Sequence, residues 1–330
     1  MRSNRFGNIA KGSLACMFAL AMIGCGSART AGNTDTTTAS PAPTAIQASL
    51  APANFLATGL ANSITTESCT LSGGTVTTCY KITTVGAPGD HAVGAFCPTH
   101  ISDGSVGGMW IEGGKTYDLT GEFIKNLAIF YNDARWKLYD DATGKIHVTD
   151  TQQAFEAAAQ PNVPTSHFNY CVEGKMSYVG GGISRTYLIP VNPVPLASST
   201  GAIGRSGVGV ALNGITMDPP APVDRIKAAF TIAALDDCGG HINPFEGYHY
   251  HAATGCTRSV ASSDGHSALI AYALDGYGIH ALADASGAEP SGLDNCRGHS
   301  DSTRGYHYHV AGAGENMFIG CFRGEQGSAS

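Results

Sequence analysis

Two segments of the chain combine residue types that can do chemistry. One reads Asp237-Cys238-Gly239-Gly240-His241 and then, after a short gap, Gly247-Tyr248-His249-Tyr250-His251. The other reads Asn295-Cys296-Arg297-Gly298-His299 and then Gly305-Tyr306-His307-Tyr308-His309. Cysteine, histidines and glycine all recur at an offset of 58. In a strand, residues two apart share a face, so His249 and His251 point one way and Tyr248 and Tyr250 the other. A His-x-His pair on one face is a good two-nitrogen donor set for a transition metal. His241, just past a Gly-Gly turn, can fold back as a third ligand, and His299, His307 and His309 repeat the set. Imidazole suits Cu, Zn, Fe or Ni, and an all-histidine site beside tyrosine leans towards Cu or Zn. Two arrangements fit: one three-histidine site per repeat, or a single site shared across a pseudo-axis. The competing reading is packing alone, with each imidazole satisfied by a carbonyl or by Asp236 or Asp294. A subsidiary option adds a thiolate from Cys238 or Cys296.

These motifs need strands and turns to position them. Upstream, Val210-Ala211-Leu212-Asn213-Gly214 is echoed by Tyr272-Ala273-Leu274-Asp275-Gly276 at an offset of 62. The pattern predicts two copies of one unit: strand, turn, connector, Cys-x-x-His, then a Tyr-His-Tyr-His strand. The connector Pro222–Leu235 can hold a short helix. The expected fold class is mainly β with short helices, with an internally duplicated, disulfide-stabilised C-terminal domain over residues 199–330. Residues 54–198 are expected to form a separate β-rich region. Its predicted strands are Thr75–Thr83, Ala92–Phe96, Gly108–Ile111, Thr116–Asp118, Lys137–Tyr139 and Thr186–Val191. Its predicted helix is Gln152–Ala159, capped by Asp150 or Thr151. The Pro-rich stretch Asn192–Ser199 marks the expected boundary. Trp110 and Trp136 are expected in the core, and His91 and His100 in ordinary hydrogen-bonded positions.

The doubled Gly-Tyr-His-Tyr-His resembles the YHYH-domain family of bacterial exported proteins. Cys79-Tyr80 and the stretch Trp110 to Gly114 extend the resemblance over most of the mature chain. The family has no established biochemical role, so the resemblance implies a fold more than an activity. In one place the chain departs from it. Asp275-Gly276-Tyr277-Gly278-Ile279-His280-Ala281 stands where such proteins read Asp-Gly-Phe-Pro-Ile-Tyr-Gly.

The N-terminus predicts the compartment. Arg2, Arg5 and Lys11 form a basic segment, and Gly12 to Gly24 an apolar one of signal-peptide length. Met22-Ile23-Gly24-Cys25 looks like a bacterial lipobox, which implies lipidation of Cys25 and, with Gly26 next, an outer-membrane lipoprotein. Residues 1–24 are then the signal peptide. Residues 25–53, rich in Thr, Ala, Ser and Pro, read as a disordered tether. The membrane is thus a partner through the lipid anchor. Eight cysteines remain in the mature chain. An even number in an oxidising compartment predicts disulfides, and Cys69–Cys79 flank a hairpin turn.

The 330-residue chain has net charge −7, which argues against nucleic-acid binding because phosphate needs a basic surface. There is no G-x-S-x-G elbow, H-E-x-x-H, Walker loop or Rossmann fingerprint. Three functions stay open: an envelope lipoprotein binding Cu or Zn through duplicated histidine clusters; a metal-dependent hydrolase or copper oxidoreductase, with Asp275, Asp236 or Glu246 as base; and a disulfide-bonded surface module binding glycan or protein.

Overall fold

In a computed structural model, residues 50–104, 107–197 and 200–330 are described. The expected signal peptide, Cys25 and most of the expected tether lie outside them. Among the described residues no helix is long and apolar enough to cross a membrane.

Strands dominate, as expected. In chain order they are β1 (Thr65–Thr70), β2 (Val76–Thr83), β3 (Met109–Glu112), β4 (Lys115–Asp118), β5 (Cys171–Val172) and β6 (Thr186–Pro190). There follow β7 (Gly209–Ala211), β8 (Thr216–Met217), β9 (Ile232–Ala233), β10 (Gly240–Asn243) and β11 (Gly247–Tyr250). The last are β12 (Leu269–Ala273), β13 (Gly278–His280), β14 (Gly298–Asp301), β15 (Gly305–His309) and β16 (Ser328–Ala329). The helix Gln152–Ala158 forms where expected, with Thr151 Oγ1 accepting from Ala154 N at 3.2 Å. Val223–Ala228 is the short connector helix. Two short helices, Gly121–Lys125 and Leu127–Phe130, were not read from the sequence. Neither Ala92–Phe96 nor Lys137–Tyr139 is a strand. Tyr139 makes only an isolated bridge, to Ile146.

The largest sheet has the order β10-β11-β8-β7-β12-β13-β15-β14. Once the 58- and 62-residue offsets are applied, this order reads the same from either end. The halves meet at β7 and β12, where Val210 pairs with its own counterpart, Tyr272. Asn213-Gly214 and Asp275-Gly276 turn the two inner hairpins, with φ of +86° at Gly214 and +90° at Gly276, values that only glycine adopts readily. The β10–β11 and β14–β15 hairpins therefore lie at opposite edges of the sheet.

The expected domain boundary is not one. The described residues, from 50 to 330, belong to one compact unit. The four-stranded sheet β1-β2-β6-β16 takes its last strand from the C-terminus, and β5 pairs in parallel with β9. A single large core runs from Leu50 and Trp110 through Tyr187 to Phe322. The tether also ends earlier than residue 53. Leu50 is buried, and Ala51 N donates to Tyr272 Oη at 3.0 Å.

All eight cysteines of the described chain pair: Cys69–Cys79, Cys97–Cys171, Cys238–Cys256 and Cys296–Cys321. Cys69 and Cys79 are diagonal rather than opposite, since Cys69 faces Thr77 and Cys79 faces Glu67. They share a face, and their Cα atoms are 5.8 Å apart, within disulfide reach. The Cys238 and Cys296 sulfurs are thereby removed as metal ligands.

Candidate metal centres

Each site is built on an edge hairpin whose turn is set by one side chain. Asn243 Oδ1 accepts from Phe245 N and Glu246 N at 2.8 and 2.7 Å, and Asp301 Oδ1 does the same for Thr303 N and Arg304 N. A second turn leads into each hairpin. Asp236 Oδ1 accepts from the backbone N–H of Cys238 and Gly240, and Asp294 Oδ1 from those of Cys296 and Gly298. These turns put His241 opposite His249 and His299 opposite His307 in the ladders.

The alternation then separates two kinds of side chain. Tyr248, Tyr250 and Tyr308 enter the core, and Tyr306 packs half-buried against it. Tyr248 Oη donates to Asp236 and Tyr306 Oη to Asp294. Tyr308 Oη donates to Asp275 Oδ2 at 2.6 Å, while Tyr250 Oη accepts from the Asn213 side chain at 2.8 Å. Glycine is required beneath two of the rings. A Cβ on Gly240 would lie 2.5 Å from Tyr248 Oη, and one on Gly298 2.1 Å from Tyr306 Oη. Asp236 and Asp275, two of the bases considered from the sequence, thus belong to the tyrosine face. His91 also sits there, hydrogen-bonded to Asp90 and within 3.3 Å of Tyr248 Oη. His100 is bonded to Ser102 and Thr143 O, as expected of a lone histidine.

The histidines gather on the other face into two separate clusters, which excludes one shared site. In the first, His249 Nε2 is 3.0 Å from His241 Nε2 and 3.2 Å from His251 Nε2. In the second, His299 Nε2 is 3.0 Å from His307 Nε2 and 3.2 Å from His309 Nε2. The second has a fourth member that the sequence reading missed. His266 Nε2 is 3.0 Å from His307 Nε2, and all four donor atoms lie within 4.8 Å of one another. Two nitrogens on one tetrahedral ion, each at roughly 2.0–2.1 Å, stand about 3.3 Å apart, so these spacings suit a common ion.

The ring hydrogens support the same geometry. His249 Nδ1 faces Gly247 O at 3.0 Å and His251 Nδ1 faces Pro219 O at 2.9 Å. His307 Nδ1 faces Gly305 O, His309 Nδ1 faces Ala281 O, and His266 Nδ1 faces Ser267 O. A carbonyl only accepts, so each of these Nδ1 atoms carries the hydrogen. Each Nε2 then presents a lone pair. His249 Nε2 and His251 Nε2 cannot hydrogen-bond each other, and neither can His266 Nε2 and His307 Nε2.

Burial also keeps five of these rings neutral. It pushes His251 down to about 3 and His307 and His309 down to about 4, and it holds His241 well below the usual imidazole value. His249 is lowered by the same cause.

The clusters differ in their surroundings. Beside the first, His249 Nε2 is 3.7 Å from Asp218 Oδ2. Burial, then the adjacent Glu246 carboxylate, raises Asp218 to about 9. Burial acts upwards on Glu246 too, but the hydrogen bond from Asp218 holds it below the ordinary range. Asp218 therefore carries the proton that the pair shares. Glu246, a base considered from the sequence, is at this site. A cavity of about 720 Å³ opens on His241, His249 and His251. Beside the second cluster stands His280, lowered to about 3 by burial, its Nδ1 2.7 Å from Ser267 O.

The model of the family described as YHYH protein matches residues 186–291. The match contains the first Gly-Tyr-His-Tyr-His and ends before the second, a narrower span than most of the mature chain. No curated protein and no solved structure matches the chain.

Proposed function

We propose that this chain, which carries a YHYH domain, is a cell-envelope lipoprotein that binds a transition metal, Cu or Zn, in each of its two histidine clusters. One observation carries the reading. In both clusters imidazole nitrogens that bear lone pairs converge, His249 Nε2 with His251 Nε2 at 3.2 Å and His266 Nε2 with His307 Nε2 at 3.0 Å, a repulsive arrangement that a cation relieves. The carbonyls that accept from Nδ1 fix the tautomer and ring orientation, as partners of metal-bound histidine do. The donor set is all nitrogen, which imidazole-binding ions such as Cu(II) and Zn(II) favour over Mg or Ca. Packing alone accounts for the tyrosines, each of which is bonded to a polar side chain, but not for the convergent lone pairs.

Elemental analysis of protein purified without added chelator tests this. Two transition-metal ions per chain are expected, and one after His249→Ala/His251→Ala or His307→Ala/His309→Ala. Metal-free protein that takes up neither Cu nor Zn would refute it. The envelope assignment rests on the lipobox. Cys25→Ser is expected to move the protein from the membrane fraction to the soluble one, and identical fractionation of both forms would remove the lipid anchor from the proposal.

A further inference from the structure

The two clusters share a backbone plan, so their differences are informative. Tyr250 pairs with Met217 as Tyr308 pairs with Ile279, which ties the 58- and 62-residue offsets together in space. On this alignment three positions around the metal differ. Gly204 stands where the second repeat has His266, Asp218 where it has His280, and Glu246 where it has Arg304. A Cβ on Gly204 would meet nothing within 4 Å.

The first difference leaves the first site one nitrogen short of the second, and the other two place Asp218 and Glu246, which group with His249, where the second has His280 and Arg304. His266 completes a four-nitrogen set, His280 packs against it at ring-centroid distances of 4.8 and 5.0 Å from His266 and His307, and Arg304 pairs with Asp264 and Asp301. The first cluster has three nitrogens. Next to it Asp218 Oδ1 is buried with no hydrogen-bond partner, and the 720 Å³ cavity begins there. Four protein ligands are the mark of a structural metal site, and three with an adjoining cavity the mark of one that exchanges ligands. Val163, Val172, Ile226 and Phe245 make much of the cavity wall apolar, and Arg205 and Arg225 also line it. Imidazole ligands carry no charge of their own, so they leave the charge of a divalent ion intact for an anionic ligand.

We propose that the repeat-one metal keeps an exchangeable position facing this cavity and binds there the carboxylate of an otherwise apolar organic molecule, while the repeat-two metal is closed by His266 and structural. The proposal rests on metal occupancy of both clusters. The carboxylate would take the open position, and its apolar body would lie against the cavity wall.

The test is the visible spectrum of the full-length protein loaded with Co(II), titrated with azide, acetate and 4-phenylbutyrate. One of the two Co(II) ions is expected to respond. The response should persist in His307→Ala/His309→Ala and vanish in His249→Ala/His251→Ala. Phenylbutyrate should bind at least about tenfold tighter than acetate, since it alone buries apolar surface. His266→Ala removes a partly exposed ligand and should make the second ion respond to azide as well, a gain that misfolding cannot imitate. Two bound Co(II) ions that respond alike, or a silent first site, would overturn this proposal and leave metal binding intact. Failure of the unmodified protein to bind Co(II) would overturn both.

Discussion

Replacing Tyr308 by Phe should cost much more than replacing Tyr250 by Phe, although the two occupy matching places in the repeats. Tyr308 Oη donates to Asp275 Oδ2 at 2.6 Å and accepts from Arg323 N at 2.7 Å. Asp275 is fully buried, and burial pushes its carboxyl up to about 6, so it is ionised at pH 7.5. Without the hydroxyl, Oδ2 retains Gly324 N, at 3.0 Å, and Arg323 N loses the acceptor it had in the tyrosine. A hydrogen bond to a charged group is worth about 1.5–3 kcal/mol and a neutral one about 1, so the loss is about 3 kcal/mol. Tyr250 Oη meets Asn213, whose amide also donates to Asp90 at 3.0 Å, and reaches His91 Nε2 only at a long 3.4 Å, so its loss is about 1 kcal/mol. Urea unfolding followed by the fluorescence of buried Trp110 and Trp136, at fixed metal loading, measures both.

The pH dependence supplies a second check. The lost donor stabilised only the ionised carboxylate. The Tyr308→Phe deficit should therefore be largest above pH 6 and shrink at pH 5, where Asp275 is protonated in the folded state. Equal costs for the two variants, or a Tyr308→Phe deficit that does not change with pH, would refute the division between a structural tyrosine face and a metal-binding histidine face.

Other expectations follow from the same geometry. Gly298→Ala should destabilise by about 1–3 kcal/mol in thermal or urea melts, because the new Cβ meets the Tyr306 hydroxyl and forces the ring to move. The Cys97–Cys171 bridge spans 74 residues and Cys69–Cys79 spans 10, so their removal should cost about 4 and about 3 kcal/mol in the chain-entropy description, measured as paired Cys→Ala variants. Protons compete with metal for Nε2, and the imidazoles of His251, His307 and His309 lie at about 3 to about 4. Metal should therefore stay bound at pH 6 and be released towards pH 4, and release near 6.5, as for exposed imidazole, would contradict the burial argument.

Much of the site could be read from the sequence because its signals are local. Period-2 alternation fixed which residues face together, and the Asn-Gly and Asp-Gly turns fixed the inner hairpins. The constant offset required that whatever His249 and His251 do, His307 and His309 have the means to repeat. His266 was missed for the opposite reason. It sits in an irregular loop with no periodicity, 41 residues from His307, and only the folded chain brings them together. Asp218 was missed because the packing of the first repeat, not its neighbours in sequence, carries it to His249. The domain boundary failed similarly. Pro193 and Pro195 mark a loop, but β16 returns from the C-terminus to pair with β6, joining both sides into one core. The Leu50 end of the tether looked polar by composition, yet one buried leucine anchors it.

The central claim is two ions at two defined points. Crystals of the metal-loaded protein, measured at the absorption edge of the bound element, test it most directly. The account predicts one anomalous peak among Nε2 of His241, His249 and His251, and another among Nε2 of His266, His299, His307 and His309, at roughly 2.0–2.1 Å from each nitrogen. Clusters that keep their imidazole arrangement in metal-soaked crystals with no anomalous peak at either position would contradict it.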